Sequence, residues 1–81
     1  MSELYIGDPV SVLSPRERQV VDLLLEGCDN AEIATKLKMT LRTVKAHFNR
    51  IFLRFGIRDG IKRVKLVVMM YRARKADGWD G

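Results

Sequence analysis

The chain has 81 residues, of which 47% are hydrophobic and 31% charged, and its 15 Lys and Arg against 10 Asp and Glu give a net charge of +5. This length allows one small domain, and the basic balance favours polyanionic partners. The single cysteine excludes an internal disulfide, no apolar run approaches the roughly 18 residues that cross a membrane, and the first ten residues lack the basic start and apolar centre of a secretion signal.

Three regions are expected along the chain: an acidic lead over 1–12, a folded domain over 13–74 and a frayed tail over 75–81. The run from Ser14 to Glu17 is a capping box with proline at the first helical position, which predicts a helix start. Gly27 ends this first helix in a left-handed conformation. Its apolar stripe consists of Val20, Val21, Leu24 and Leu25.

The lone cysteine follows this helix directly. Cys28 stands where an apolar residue packs back on Leu23, and this is the expected role of the cysteine. A reactive thiol is the alternative, but no basic residue adjoins it to stabilise a thiolate.

A helix-turn-helix is predicted next. Asp29, with Glu32 three residues later, marks the start of a second helix over about 30–38. Its inward residues are expected to be Ile33, Ala34 and Leu37. A tight turn leads to Thr40, which caps a third helix of about 41–55 that Gly56 stops.

The third helix has two contrasting faces. Val44, Phe48, Ile51 and Phe55 fall on one side. The opposite side, within roughly 140° of arc at helical spacing, carries Arg42, Lys45, Ala46, Asn49 and Arg50. This face lacks acids, its alanine permits close approach to a groove, and its asparagine can bond adenine through two contacts. An ordinary solvated face is the alternative, and Leu53 on the same side is an exception to the pattern.

Charge is segregated along the chain. No acid lies between Glu32 and Asp59, whereas seven basic residues do. Such a basic block points to DNA, with phosphate contacts expected from Lys36, Arg42 and Arg50. Thr43 could bond either a phosphate or the helix backbone, and a lone histidine such as His47 is more often a packing or capping residue than a ligand.

The fourth helix, about 60–74 and capped by Asp59, is apolar on two sides. The side expected to cover the core carries Ile61, Val64, Val67, Val68 and Tyr71. The other side, carrying Leu66, Met69 and Met70, is expected to form a homodimer with a second chain, because a small domain would otherwise leave it wet. The whole chain is thus expected to be all-α, a four-helix domain.

Residues 13–59 resemble the LuxR/GerE-type (NarL/FixJ-like) C-terminal DNA-binding domain. The family pattern includes L-[ST]-x-R-E-x-x-V, E-G, N-x-E-I-A and T-V-K-x-H, and many ordered matches fill it. They are Leu13, Arg16, Glu17, Val20, Glu26, Gly27, Asn30, Glu32, Ile33, Ala34, Leu37, Thr43, Val44, Lys45, His47, Ile51 and Gly56. The resemblance implies a third helix in the major groove and dimerisation through the fourth.

The resemblance also implies residue roles. Base contacts match Lys45, Ala46 and Asn49. Backbone or orienting contacts match Asn30, Thr43 and His47. Three departures from the family pattern stand at Ala31, where relatives often carry a basic residue, and at Lys62 and Arg63, which replace a common Glu-Ala pair.

The leading interpretation is a sequence-specific transcriptional regulator of the bacterial cytoplasm, associated with the nucleoid. Its expected partners are double-stranded DNA and a second copy of the chain, with RNA polymerase as a further candidate; no membrane, cofactor, metal or enzymatic activity is expected. Only 12 residues precede Leu13, so the chain resembles the short free-standing members of the family, with a fragment of a larger regulator as the alternative; the start at Met1 slightly favours the free-standing form. Two alternatives are a protein-interaction module that modulates larger relatives and a promoter-recognition region like that of a sigma factor.

Overall fold

The computed structural model describes residues 12–76, with side chains through residue 73. It contains α1 (Pro15–Leu25), α2 (Asn30–Leu37), α3 (Leu41–Arg54) and α4 (Lys62–Ala76), and no strand within the described range. The predicted all-α, four-helix class is confirmed. The expected acidic lead lies outside the described residues except for Val12, and so does the expected tail beyond residue 76.

The predicted starts of α1 and α2 are confirmed by their caps. The Ser14 hydroxyl accepts a hydrogen bond from the Glu17 amide at 3.2 Å, and the Glu17 carboxylate accepts from the Ser14 amide at 3.0 Å. Asp29 and Glu32 make the same reciprocal pair at 2.8 Å in each direction. Each box satisfies two amide donors that the first helical turn leaves without a partner.

The end of α1 is also as the sequence predicts. Gly27 has φ +96°, and the Cys28 amide donates to the Leu23 carbonyl at 3.0 Å. Cys28 and Leu23 both pack at the margin of the core, as expected. In the short turn between α2 and α3, Lys38 takes a left-handed φ of +55° before Thr40 caps α3.

All four helices contribute to one core. The fully or nearly buried hydrophobic side chains are Val20, Val21, Leu24, Ile33, Val44, Phe48, Ile51, Phe52, Ile57, Leu66 and Met70. The predicted inward faces of α1, α2 and α3 belong to this cluster or pack against it. Phe52 is buried as well, although the sequence did not mark it.

The predicted orientation of α4 was wrong. Leu66 and Met70, expected on an exposed dimer face with Met69, are 0% exposed, and Met69 is half-buried. The exposed apolar residues of α4 and of the position just before it, with their exposed fractions, are Ile61 (70%), Val64 (54%), Val68 (41%) and Tyr71 (51%). Both sides of α4 are apolar, so periodicity alone defines two stripes without deciding which packs inward.

The start of α4 also differs from the prediction. The helix begins at Lys62, and the Lys65 amide donates to the Ile61 carbonyl at 3.0 Å. Ile61 therefore occupies the capping position that was expected for Asp59. The Asp59 carboxylate instead accepts a hydrogen bond from Lys65 Nζ at 3.2 Å.

Candidate DNA-recognition surface

The two faces of α3 are segregated as predicted. Val44, Phe48 and Ile51 are buried, which fixes the rotation of the helix about its axis. The side chains that this rotation leaves exposed include Arg42, Lys45, Asn49 and Arg50. The helix-turn-helix thus presents a cationic surface, because the sequence has no acid between Glu32 and Asp59.

A long arginine fixes α2 relative to α1. Arg16 Nη2 donates to the Leu37 carbonyl at 2.9 Å, while Nη1 donates to Gln19 Oε1 at 2.9 Å. The carbonyls at the end of a helix have no partner within the helix. Arg16 therefore satisfies one of them and holds the last turn of α2 just before the turn into α3.

A buried carboxylate fixes the far end of α3. Glu17 is 4% exposed, and Arg54 donates to both of its oxygens. Hydrogen bonding from Arg54 is the largest cause that lowers the Glu17 pKa, against an opposing effect of burial. Arg54 also donates to the Val12 carbonyl at 3.3 Å, so one guanidinium links the chain before α1 to the last turn of α3.

The expected base-reading residues lie together on the outside of α3. Lys45 and Asn49 are exposed, and Ala46 is half-buried beside them. Neither the Lys45 side chain nor the Asn49 side chain has a hydrogen bond or ion pair to another residue of the 12–76 range. Their polar groups are therefore available to a ligand.

The expected backbone contacts fall into two groups. The side chains of Lys36 and Arg42 are exposed and have no hydrogen bond or ion pair to any described residue. The others already contact protein atoms: the Thr43 hydroxyl lies 2.9 Å from that of Thr40, and Arg50 Nη2 lies 3.5 Å from His47 Nδ1. Asn30 is half-buried at the start of α2, where its Oδ1 accepts from Arg63 Nη1.

His47 is half-buried beside the cationic face. Burial is the largest cause lowering its pKa, and the charge of Arg50 lowers it further, while Glu17 acts in the opposite direction. The neutral imidazole is therefore favoured in the absence of an added anion.

The start of α4 contributes contacts that the sequence did not predict. The guanidinium of Arg63 lies 4.6 Å from the centre of the Phe48 ring, and its nitrogens reach Asn30 and the Cys28 carbonyl. Lys62 Nζ lies 5.9 Å from the centre of the Phe52 ring. Their only signal in the sequence was that both depart from the family pattern.

Two other features bear on what the surface can bind. Leu53 is 75% exposed on α3, as the helical spacing predicted. Within residues 12–76, no group of three His, Cys, Asp or Glu side chains could hold a metal ion. None of the helices in that range is both long and apolar enough to cross a membrane.

A family model described as "Bacterial regulatory proteins, luxR family" matches residues 11–70. The chain belongs to this family. The luxR family comprises DNA-binding transcription regulators, and α2, the turn and α3 form the helix-turn-helix of such a domain. No solved structure matches the chain.

Relatives of this luxR-family domain include three proteins named Oxygen regulatory protein NreC from Staphylococcus aureus. The one from strain bovine RF122 / ET3-1 is 39% identical over 53 residues, which are 65% of this chain and 24% of the relative. Those from strains JH9 and USA300 are 39% identical over 52 residues. The match therefore covers about a quarter of the length of these relatives.

Proposed function

We propose that this luxR-family domain regulates transcription by binding specific double-stranded DNA sequences, with α3 in the major groove, in the bacterial cytoplasm. The observation that carries the proposal is the exposed polar face of α3. This face carries cations without a neighbouring acid, together with one asparagine and one alanine. The buried side of α3 fixes the direction in which this face points. A helix fits the major groove, where base edges are distinguishable.

Lys45 and Asn49 are proposed to read base edges, while Ala46 packs against a base or a thymine methyl. A lysine donates to guanine acceptors, and an asparagine side chain both donates to and accepts from adenine. Both side chains are exposed and without a hydrogen bond or ion pair within residues 12–76, so binding requires no protein contact to break.

Phosphate contacts are proposed for six residues around that centre: Asn30, Lys36, Arg42, Thr43, His47 and Arg50. Such contacts position the domain without reading sequence. Thr43 already bonds Thr40, so its contact requires the hydroxyl pair to share a phosphate oxygen or to separate.

Dimerisation is proposed through the exposed stripe of α4. Ile61, Val64, Val68 and Tyr71 follow one another at spacings of 3, 4 and 3 residues. This spacing is typical of helices that pair side by side. A second copy of the chain is the proposed occupant, because two-fold pairing presents two α3 helices at half-sites about 10 base pairs apart.

Arg72 and Lys65 flank this stripe and repel their counterparts in a second copy, although Asp59 offsets part of the Lys65 charge. The free dimer is therefore expected to be weak and to form fully on DNA, where the duplex holds both copies.

Selection of bound duplexes from random DNA, followed by footprinting, tests sequence-specific binding. On the selected site, Lys45→Ala or Asn49→Ala is expected to cost about 1–3 kcal/mol and relax preference at one position. Arg18→Ala, an exposed change on α1, is the control. Equal weakening on specific and random DNA would argue against base reading by Lys45 and Asn49.

Val68→Glu tests the dimer surface. It is expected to abolish cooperative binding to a full inverted site while preserving the fold and the weaker binding to one half-site. Arg18→Ala changes the net charge by the same amount and should leave cooperativity intact. Wild-type affinity of Val68→Glu for a full site would place the dimer surface elsewhere.

The α4 stripe also suits a second function, pairing with larger relatives to modulate them. That function does not require DNA. Binding to bulk DNA with a steep salt dependence favours the regulator, whereas stripe-dependent pairing without DNA binding favours the interaction module.

A further inference from the structure

Arg63 links three parts of the domain. From the first turn of α4, it stacks on Phe48 of α3 and donates to Asn30 of α2 and to the Cys28 carbonyl. Phe48 is 3% exposed, so its ring is held by the core. A guanidinium stacked on a fixed ring at 4.6 Å has little freedom to turn, and its N–H groups point in set directions.

The contact with Arg63 determines which way the Asn30 amide faces. A guanidinium has donors and no acceptor, so the atom that meets it must be the amide oxygen. Arg63 Nη1 lies 2.5 Å from Asn30 Oδ1. The remaining polar group of Asn30 is its NH₂, which can only donate.

The surroundings of Asn30 also favour an anionic acceptor. Asn30 is the first residue of α2, where the helix has its positive end. The carboxylates of the neighbouring Asp29 and Glu32 each accept from a backbone amide in the capping box, which does not remove their charge, and the Arg63 guanidinium in contact with Asn30 offsets part of it. An oxygen of a phosphodiester can accept from the Asn30 NH₂ at this helix start, next to the Arg63 guanidinium.

We propose that Arg63 is a positioning residue for the contact between Asn30 and the DNA backbone. It holds the Asn30 amide with its NH₂ directed at a phosphate oxygen, and it connects that contact to the start of α4. This inference rests on the proposed docking of α2 and α3 on DNA. It adds a role for a residue that lies outside the helix-turn-helix itself.

The first experiment is a double-mutant cycle on DNA affinity. Asn30→Ala is expected to lower affinity for the selected site about tenfold, the loss of one hydrogen bond to a charged group. Arg63→Lys keeps the positive charge but removes the planar guanidinium that donates to two partners at once. It should lower affinity roughly threefold and leave the slope of log affinity against log salt unchanged. In the Asn30→Ala background, Arg63→Lys should have no further effect.

Lys62→Arg is the matched control, because Lys62 lies beside an aromatic ring in the same turn but does not reach Asn30. It should change affinity equally in both backgrounds. Equal losses for Arg63→Lys with and without Asn30, or no loss at all, would overturn the positioning role. If the wild-type domain binds no DNA, the proposed function itself fails, and that outcome is distinct from either result.

Asn30→Asp separates DNA binding from folding. A carboxylate still accepts from Arg63, as part of an ion pair, but it has no N–H and repels phosphate. Thermal stability should hold or rise while DNA affinity falls at least as far as in Asn30→Ala. Retained affinity in Asn30→Asp would contradict an N–H contact with the backbone.

Discussion

Glu17 is a buried carboxylate that accepts hydrogen bonds from two separate parts of the chain. Its carboxylate accepts from the Ser14 amide and from Arg54, which joins the first turn of α1 to the last turn of α3. A buried carboxylate without these donors would destabilise the folded domain. Glu17 stabilises it because both of its carboxylate oxygens are hydrogen-bonded.

Glu17→Gln is expected to lower the free energy of unfolding by about 2 kcal/mol, because charge-assisted hydrogen bonds are replaced by weaker neutral ones. Urea unfolding at neutral pH measures the change. Glu26→Gln, at an exposed position just after α1, is the control and should stay within about 0.5 kcal/mol of wild type. Equal effects of the two changes would show that the ion pair contributes little.

The lowered pKa of Glu17 sets the direction of its pH dependence. The pKa of Glu17 in the folded domain is below its unfolded value of about 4.3. The stabilisation of the fold by the ionised carboxylate is therefore fully present above a pH of about 4.3. The contribution is lost as pH falls through the folded pKa. Acid unfolding of Glu17→Gln should therefore show a smaller loss of stability below about pH 4.3 than the wild type.

The lowered pKa of His47 also makes the folding stability fall as pH falls, but at a higher pH than for Glu17. Burial and Arg50 lower its pKa, so the folded domain favours the neutral ring. Its contribution is present above the unfolded pKa of about 6.5 and is lost as pH falls through the folded value. In His47→Gln, stability should change less than in wild type as pH falls from 7 to 5, measured by urea midpoints. Identical profiles would contradict this assignment.

At the scale of the helices, α3 could be predicted and α4 could not. On α3, cations and asparagine occupy one side and large apolar residues the other, so a single rotation satisfies both. On α4 both sides are apolar. Lys65 and Arg72 share the side of Val68, and giving them more weight would have marked that side as exposed.

Contacts between distant residues were also beyond prediction. The capping boxes span three residues and are visible as short motifs. Arg16 reaches the Leu37 carbonyl across 21 positions, and Arg63 reaches Asn30 across 33. A long flexible side chain can reach many partners, and the helix packing alone selects one.

The corrected orientation of α4 has a direct test. Leu66→Ala or Met70→Ala is expected to cost about 2–5 kcal/mol, since each removes a fully buried side chain. Val64→Ala, on the exposed stripe, should stay within about 0.5 kcal/mol. Urea unfolding at low protein concentration, where the chain is monomeric, distinguishes the two stripes; the reverse order of effects would restore the orientation predicted from sequence.

For the whole molecule, the separation of charge determines how binding responds to salt. Lys36, Arg42 and Arg50 surround the proposed base-reading residues, and each phosphate contact releases counterions on binding. Neutralising any one of them to alanine should reduce the slope of log affinity against log salt by about 1, with sequence preference little changed. Arg18→Ala on α1 should leave the slope as in wild type; an unchanged slope for Arg50→Ala would remove that residue from the interface.

The cations of α2 and α3 have a cost when no DNA is bound. The side chains of Lys36, Arg42 and Lys45 have no ion pair or hydrogen bond within residues 12–76, and no acid lies among them to offset their mutual repulsion. Added salt screens this repulsion and stabilises the free fold, whereas the same salt weakens the complex. Raising the salt concentration should therefore increase the melting temperature of the free domain and decrease that of the domain saturated with its DNA site.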